Sequence, residues 1–145
     1  QSIGRWGNFI NQELYGPPTT LPWGLAIDPA FRIPPYTDLA EYPGATLFHP
    51  TFLYESLATL ILCLVLLWAA DRWRDKRRSG DLLFGYLLGY AVIRCFSEYL
   101  RPDAWTMGAM ATAQWIAIGL GILSILALIL RHQIGDRPIP ETEEN

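Results

Sequence analysis

The chain has 145 residues, 51% of them hydrophobic and 17% charged, against about 25% charged in an ordinary soluble domain. That apolar content excludes a disordered chain. The formal net charge of −3 argues against an electrostatic nucleic-acid footprint, and two cysteines inside apolar runs, Cys63 and Cys95, exclude a disulfide scaffold.

The first segment, residues 1–16, starts at Gln1 rather than Met and lacks a cationic region followed by an apolar one, so a secretory leader is not expected in it. The missing Met predicts a processed or incomplete chain. Residues 4–16 set Arg5, Asn8, Asn11, Gln12 and Glu13 among Gly4, Gly7 and Gly16. Glycine lets a ligand approach the backbone, and arginine makes forked contacts to phosphate. The plainer reading is a glycine-rich helix end.

Residues 17–50 hold eight of the eleven prolines. Each removes a backbone donor and resists a helix interior. The segment is therefore predicted to be an irregular lobe, head or arm on the outer side of a membrane. Trp23, Phe31, Tyr36, Tyr42 and Phe48 are candidates to rest it on lipid headgroups. At its end, residues 49–55 place His49, Tyr54 and Glu55 at the mouth of the first apolar run.

Three apolar runs follow, at about residues 51–70, 82–100 and 107–130. A helix rises about 1.5 Å per residue, so roughly 20 residues cross a bilayer core of about 30 Å. The pattern predicts an all-α membrane protein with three transmembrane helices. Arg72, Arg74, Lys76, Arg77 and Arg78 fill the loop at 71–81, and Arg131 and Arg137 follow the third run. The positive-inside rule makes that loop and the tail at 131–145 cytoplasmic, and the proline-rich arm extracytoplasmic. Trp68 and Trp73 fall near the inner boundary, Trp105 and Trp115 toward the outer one. Gly85 with Gly89, and Ala113, Ala117 and Gly121, form small-residue stripes suited to close helix packing.

Inside the second run, Tyr90, Arg94, Glu98 and Arg101 are spaced by four, four and three, which puts them on one helical stripe. Charges within a span cost at least about 2.5 kcal/mol on insertion scales and normally face a partner or a cavity. A structural ion pair, a proton relay or a transport pathway each fits the stripe alone. If the helices pack as a bundle, the three polar clusters converge near the outer leaflet and offer Arg5 and Arg94 to an anionic headgroup. Two histidines and two cysteines without ligand spacing suggest no metal.

At these residues the sequence resembles the bacterial prolipoprotein diacylglyceryl transferase family. Residues 4–16 match the pattern G-R-x-G-N-F-x-N-x-E-x-x-G, and residues 49–55 match H-P-x-x-L-Y-E. Arg94, Glu98, Arg101, Pro102 and Asp103 resemble its R-x-x-x-E-x-x-R-x-P-D element, with Pro102 one residue early. The resemblance implies that the three helices are the last three of a seven-helix bundle. The chain would then be a C-terminal fragment lacking about four helices. It implies transfer of the diacylglyceryl group of phosphatidylglycerol to the lipobox cysteine thiol of a prolipoprotein signal peptide, at the bacterial inner membrane and without a cofactor. Catalytic candidates are Arg5, Arg94, Tyr90 and Glu98. Headgroup candidates are Arg5, Asn8, Glu13, Gly16 and Arg94, supported by His49, Tyr54, Glu55 and Arg101. The alternatives from the residues themselves are a non-catalytic membrane module and a small transporter or proton-relay component.

Overall fold

The computed structural model describes residues 1–74, 78–102, 104–108 and 110–134. Lys76, Arg77, Asp103 and the tail beyond 134, with Arg137, lie outside them.

A 3-10 turn at Ile3–Arg5 runs into a short helix, α1, at Trp6–Ile10. After the proline-rich segment come three long helices: α2 at Thr51–Arg72, α3 at Asp81–Glu98 and α4 at Thr112–Ile134. Pro50 stands immediately before α2, where its missing N–H leaves no helical bond unmade. Gly80 turns the chain into α3 with φ at +95°, a left-handed conformation that costs glycine little.

Two helices, Thr51–Arg72 and Thr112–Gln133, are long and apolar enough to cross a membrane, with mean hydropathies of 2.1 and 2.3. Their outward faces carry Ile61, Leu64 and Leu67, and Ile116, Leu123 and Leu130, all exposed. α3 is shorter and carries Asp81, Arg94 and Glu98.

α3 packs against both α2 and α4. The glycine spacing works as packing: a Cβ on Gly89 would lie 2.4 Å from Leu62 Cδ1, and one on Gly85 would lie 3.2 Å from Leu66 Cδ2. Ala117 is buried, and Gly121 faces Ala91 across the α3–α4 contact.

The third apolar run does not begin as helix. Thr106–Met107 and Met110–Ala111 pair as a small antiparallel hairpin (β4 and β5), and α4 starts at Thr112. Gly108 adopts a φ of +72° at the turn. Gln114 fixes the junction: its Oε1 accepts from Ala111 N at 3.0 Å, and its Nε2 donates to the Cys95 carbonyl at 3.1 Å.

Of the lobe and the arm, the proline-rich segment forms the lobe, and it is packed around a small sheet rather than wholly irregular. Pro18–Thr19 (β1), Leu25–Ala26 (β2) and Leu47–Phe48 (β3) form an antiparallel sheet in the order β1-β3-β2. Tyr15, Ile27, Tyr36 and Phe48 make its core, with Phe48 fully buried. Tyr36 and Phe48 therefore do not rest on headgroups, whereas Trp23 and Phe31 are exposed. Burial, with Tyr15 nearby, raises the Tyr36 phenol above its ordinary pKa. Arg32 crosses beneath the sheet at 5% exposure. It donates to the carbonyls of Ile27, Tyr42, Pro43 and Gly44 at 2.7–3.2 Å and lies over the Phe48 ring. A buried cation is tolerated when its hydrogen bonds are made.

Candidate functional site: paired arginines over a buried carboxylate

The site lies where α1, the first turns of α2 and the end of α3 meet. Glu55 projects from the second turn of α2 and is 6% exposed. Its Oε2 holds the Arg5 guanidinium at 2.6 Å, and its Oε1 lies 3.6 Å from the Arg94 guanidinium. Arg94 also pairs with Glu98 one turn along α3, and Arg101 lies 3.7 Å from the same Glu98 oxygen. Residues far apart in sequence thus form one continuous ionic chain, from Arg5 through Glu55, Arg94 and Glu98 to Arg101.

The charge arrangement has a direction. Both carboxylates are nearly buried, while the Arg5 and Arg94 side chains keep about a fifth of their surface open, 20% and 19%. Each guanidinium carries five donors in a rigid fork. The carboxylates fix the cations from behind, and the open edges can receive an anion.

Local backbone geometry brings Arg5 to Glu55. Ser2 Oγ donates to the Ser56 carbonyl at 2.8 Å, and Ser56 Oγ donates back to the Ser2 carbonyl at 2.9 Å. The segment then turns tightly, with Gln12 and Leu14 at φ of 52° and 56°. Left-handed geometry costs a non-glycine residue roughly 1–2 kcal/mol, so tertiary bonds must hold it. Gln12 Oε1 accepts from Asp28 N at 2.8 Å, and the Leu14 carbonyl accepts from Thr51 Oγ1. Gly16 is buried at the crossing: a Cβ there would lie 2.9 Å from His49 Cβ and 3.1 Å from the Leu100 carbonyl. It shapes the site by letting the signature segment, α2 and the end of α3 close on one another.

The remaining candidates sit around this chain. The Asn8 carbonyl, inside α1, accepts from Glu13 N at 2.9 Å, and Glu13 Oε1 accepts from Asn11 Nδ2 at 3.2 Å, so Asn8 ties the following turn, with Glu13, back to α1. Tyr90 stacks on Tyr86, whose hydroxyl donates to Gln1 Oε1 at 2.7 Å. His49 Nδ1 lies 3.1 Å from the Tyr54 hydroxyl, which accepts from Trp23 Nε1 at 2.9 Å. This last chain joins the lobe to α2. Among the described residues no group of three or more His, Cys, Asp or Glu could hold a metal.

The family model for prolipoprotein diacylglyceryl transferase matches residues 1–130. The chain belongs to this family. A phosphatidylglycerol–prolipoprotein diacylglyceryl transferase of Chloroflexus aggregans is 44% identical over 148 residues, covering 92% of this chain and 48% of the relative. Proteins with the same description from Synechococcus elongatus and Streptomyces coelicolor, the latter numbered 2, are 42% and 43% identical. Those alignments cover 89% and 90% of this chain but 44% and 39% of the relatives. The chain therefore spans about half the length or less of these relatives. No solved structure matches it.

The transferase motifs account for Arg5, Glu55, Arg94 and Glu98. Two features of the surrounding structure escaped the sequence reading. The Ser2–Ser56 clasp had one available signal, a small polar residue directly after Glu55 in an otherwise apolar run. Gln114 had another, as the polar residue at the head of an uncharged stretch.

Proposed function

We propose that this chain carries the phosphate-holding part of a phosphatidylglycerol–prolipoprotein diacylglyceryl transferase. The observation that carries the reading is the meeting of Arg5 and Arg94 across Glu55. In the reaction, the thiolate of a lipobox cysteine attacks the diacylglyceryl carbon. A C–S bond forms, the C–O bond to phosphate breaks, and glycerol phosphate leaves with the electron pair. The thiol proton passes to a base. Arg5 and Arg94 hold the phosphodiester and stabilise the charge that grows on it, where preorganised donors act most strongly. Glu98 and Glu55 orient the two cations. Asn8, Glu13 and Gly16 form the headgroup side, with Gly16 acting through packing. Tyr90 lines the approach one turn from Arg94. His49, Tyr54 and Arg101 support the rim.

α3 serves as a third span, its ionic residues covered by α2 and by the signature segment. The loop after α2 and the end of α4 lie in the cytoplasm, and the lobe lies outside the inner membrane. The basic residues at 72, 74, 78 and 131 support that orientation. The substrates are then a membrane lipid and a membrane-inserted signal peptide, both reached from the bilayer.

The test is lipid transfer to a lipobox peptide by the full-length protein. Arg5→Ala and Arg94→Ala are each expected to lower transfer by about 10²–10³-fold or more, with normal membrane insertion. Arg94→Lys keeps the charge but not the fork and should recover only part of the loss. Transfer at the wild-type rate by both alanine variants refutes the phosphate-clamp assignment.

A further inference from the structure

Arg5 meets Glu55 within a longer grip on one face of α2. Three pairs lie in register, the two segments running in opposite directions: Ser2 on Ser56, Arg5 on Glu55 and Trp6 on Phe52. Phe52 and Ser56 are four residues apart, so they share a helix face, and both are buried. The apolar end of the grip sets the Trp6 and Phe52 rings 5.5 Å apart at 70°, with the Phe9 ring 5.2 Å from Phe52. The polar end is reciprocal: the Ser2 and Ser56 hydroxyls lie 3.0 Å apart, and each donates to the other residue's carbonyl. Thr59 steadies the α2 side, its hydroxyl donating to the Glu55 carbonyl at 2.7 Å and the Ser56 carbonyl at 3.1 Å.

The same segment is tied to α3. Arg5 N donates to the Gln1 carbonyl at 3.2 Å, which closes the turn, and Gln1 Oε1 accepts from the Tyr86 hydroxyl at 2.7 Å. The turn that carries Arg5 is therefore braced against the helix of its counter-ion and against the helix of the second cation. An ion pair alone fixes the head of a long side chain but not its root. Groups that act on a reacting centre must be held within about 0.5 Å by the shell around them.

We propose that, on the reading of Arg5 and Arg94 as a phosphate clamp, Ser56 is a positioning residue for the transfer. Through Ser2 it fixes the backbone from which Arg5 reaches the lipid phosphate. At 4% exposure, Ser56 acts through that segment and not on the substrate. The Tyr86 hydroxyl is the weaker, more open second brace.

The test follows lipid transfer to a lipobox peptide by the full-length protein, with kcat/KM for phosphatidylglycerol and KM for the peptide measured separately. Ser56→Ala is expected to lower kcat/KM for the lipid about tenfold, within the ~10²-fold that a displacement of about 1 Å can cost, and to leave KM for the peptide unchanged. Ser2→Ala removes the same clasp, so the double variant should be no worse than either single one. Tyr86→Phe keeps the ring stacked on Tyr90 and should cost roughly threefold. In Arg5→Lys, where no fork is left to aim, adding Ser56→Ala should change transfer by less than about twofold. Ser124→Ala is the control: this buried hydroxyl only bonds back to Leu120 within α4, and its loss should leave transfer unchanged. A wild-type rate in Ser56→Ala, an equal loss from Ser56→Ala in the Arg5 and Arg5→Lys backgrounds, or a matching loss in Ser124→Ala overturns the proposal. These results leave the clamp standing as long as Arg5→Ala is itself impaired, whereas a wild-type rate in Arg5→Ala removes the clamp and this role together.

Discussion

Arg32 in the lobe and Arg94 in α3 are both drawn out of water, yet the protein uses them in opposite ways. Arg32 spends its donors on backbone carbonyls and is sealed beneath Phe48. Four of its five donors are spent in this way and the side chain is buried, so its work is to tie the turn at 42–44 to Ile27. Arg94 and its neighbour Arg5 are held by carboxylates on one side and remain open on the other. Among these arginines, the identity of the partners separates structure from chemistry. Carbonyls wrap the fork, whereas carboxylates aim it.

The sharpest way to break that comparison is to remove each cation and watch both regions. Arg32→Ala leaves four carbonyls without their donor and should destabilise the lobe by about 3 kcal/mol or more, at roughly 1–3 kcal/mol for each unsatisfied buried group. Limited proteolysis should then cut within residues 17–50, while Arg94→Ala should leave the lobe protected. Equal loss of protection in both variants would mean that the two arginines share one structural role.

Glu55→Gln asks whether the carboxylate aims the fork. Size is kept and charge is lost, so Arg5 and Arg94 should shift, and lipid transfer by the full-length protein should fall about 10²-fold. A variant transferring at the wild-type rate would reduce Glu55 to a packing residue.

Gly16→Ala tests the joint between the two regions. The added methyl meets His49 and a backbone carbonyl that cannot move aside, and overpacking of this kind costs about 1–3 kcal/mol. Thermal melting should register the loss, with a smaller drop in transfer. Trp23→Phe has the least expected effect. It removes one partly exposed hydrogen bond to Tyr54 and should lower stability by under about 1 kcal/mol. A large drop in activity from this change would show that the lobe governs the site through His49 and Tyr54.

Much of the helical part was legible in the residue order. The runs behind α2 and α4 could be read because uninterrupted apolar length is a local property. The Arg94–Glu98 pair could be read because a spacing of four on a helix is also local. The beginning of α4 was not: residues 107–111 are as apolar as the helix that follows, and only cross-strand pairing and the Gln114 bonds turn them into a hairpin. The lobe escaped for a related reason. Its core residues, Tyr15, Ile27, Tyr36 and Phe48, follow no period, and the strands they sit beside are two residues long. Prolines signalled irregularity and concealed a packed core.

The site divides the same way. The sequence by itself determined the family motifs, the cations and carboxylates available, and the apolar lengths, because composition and helical periodicity are written locally. It placed Glu55 in a motif but not between two arginines. Nothing in it set Arg32 apart from the other arginines. Only the tertiary structure decided that Glu55 joins Arg5 to Arg94 and that carbonyls consume Arg32. Each of these depends on groups brought together across tens of residues, and the strength of a charge is set by what surrounds it in space.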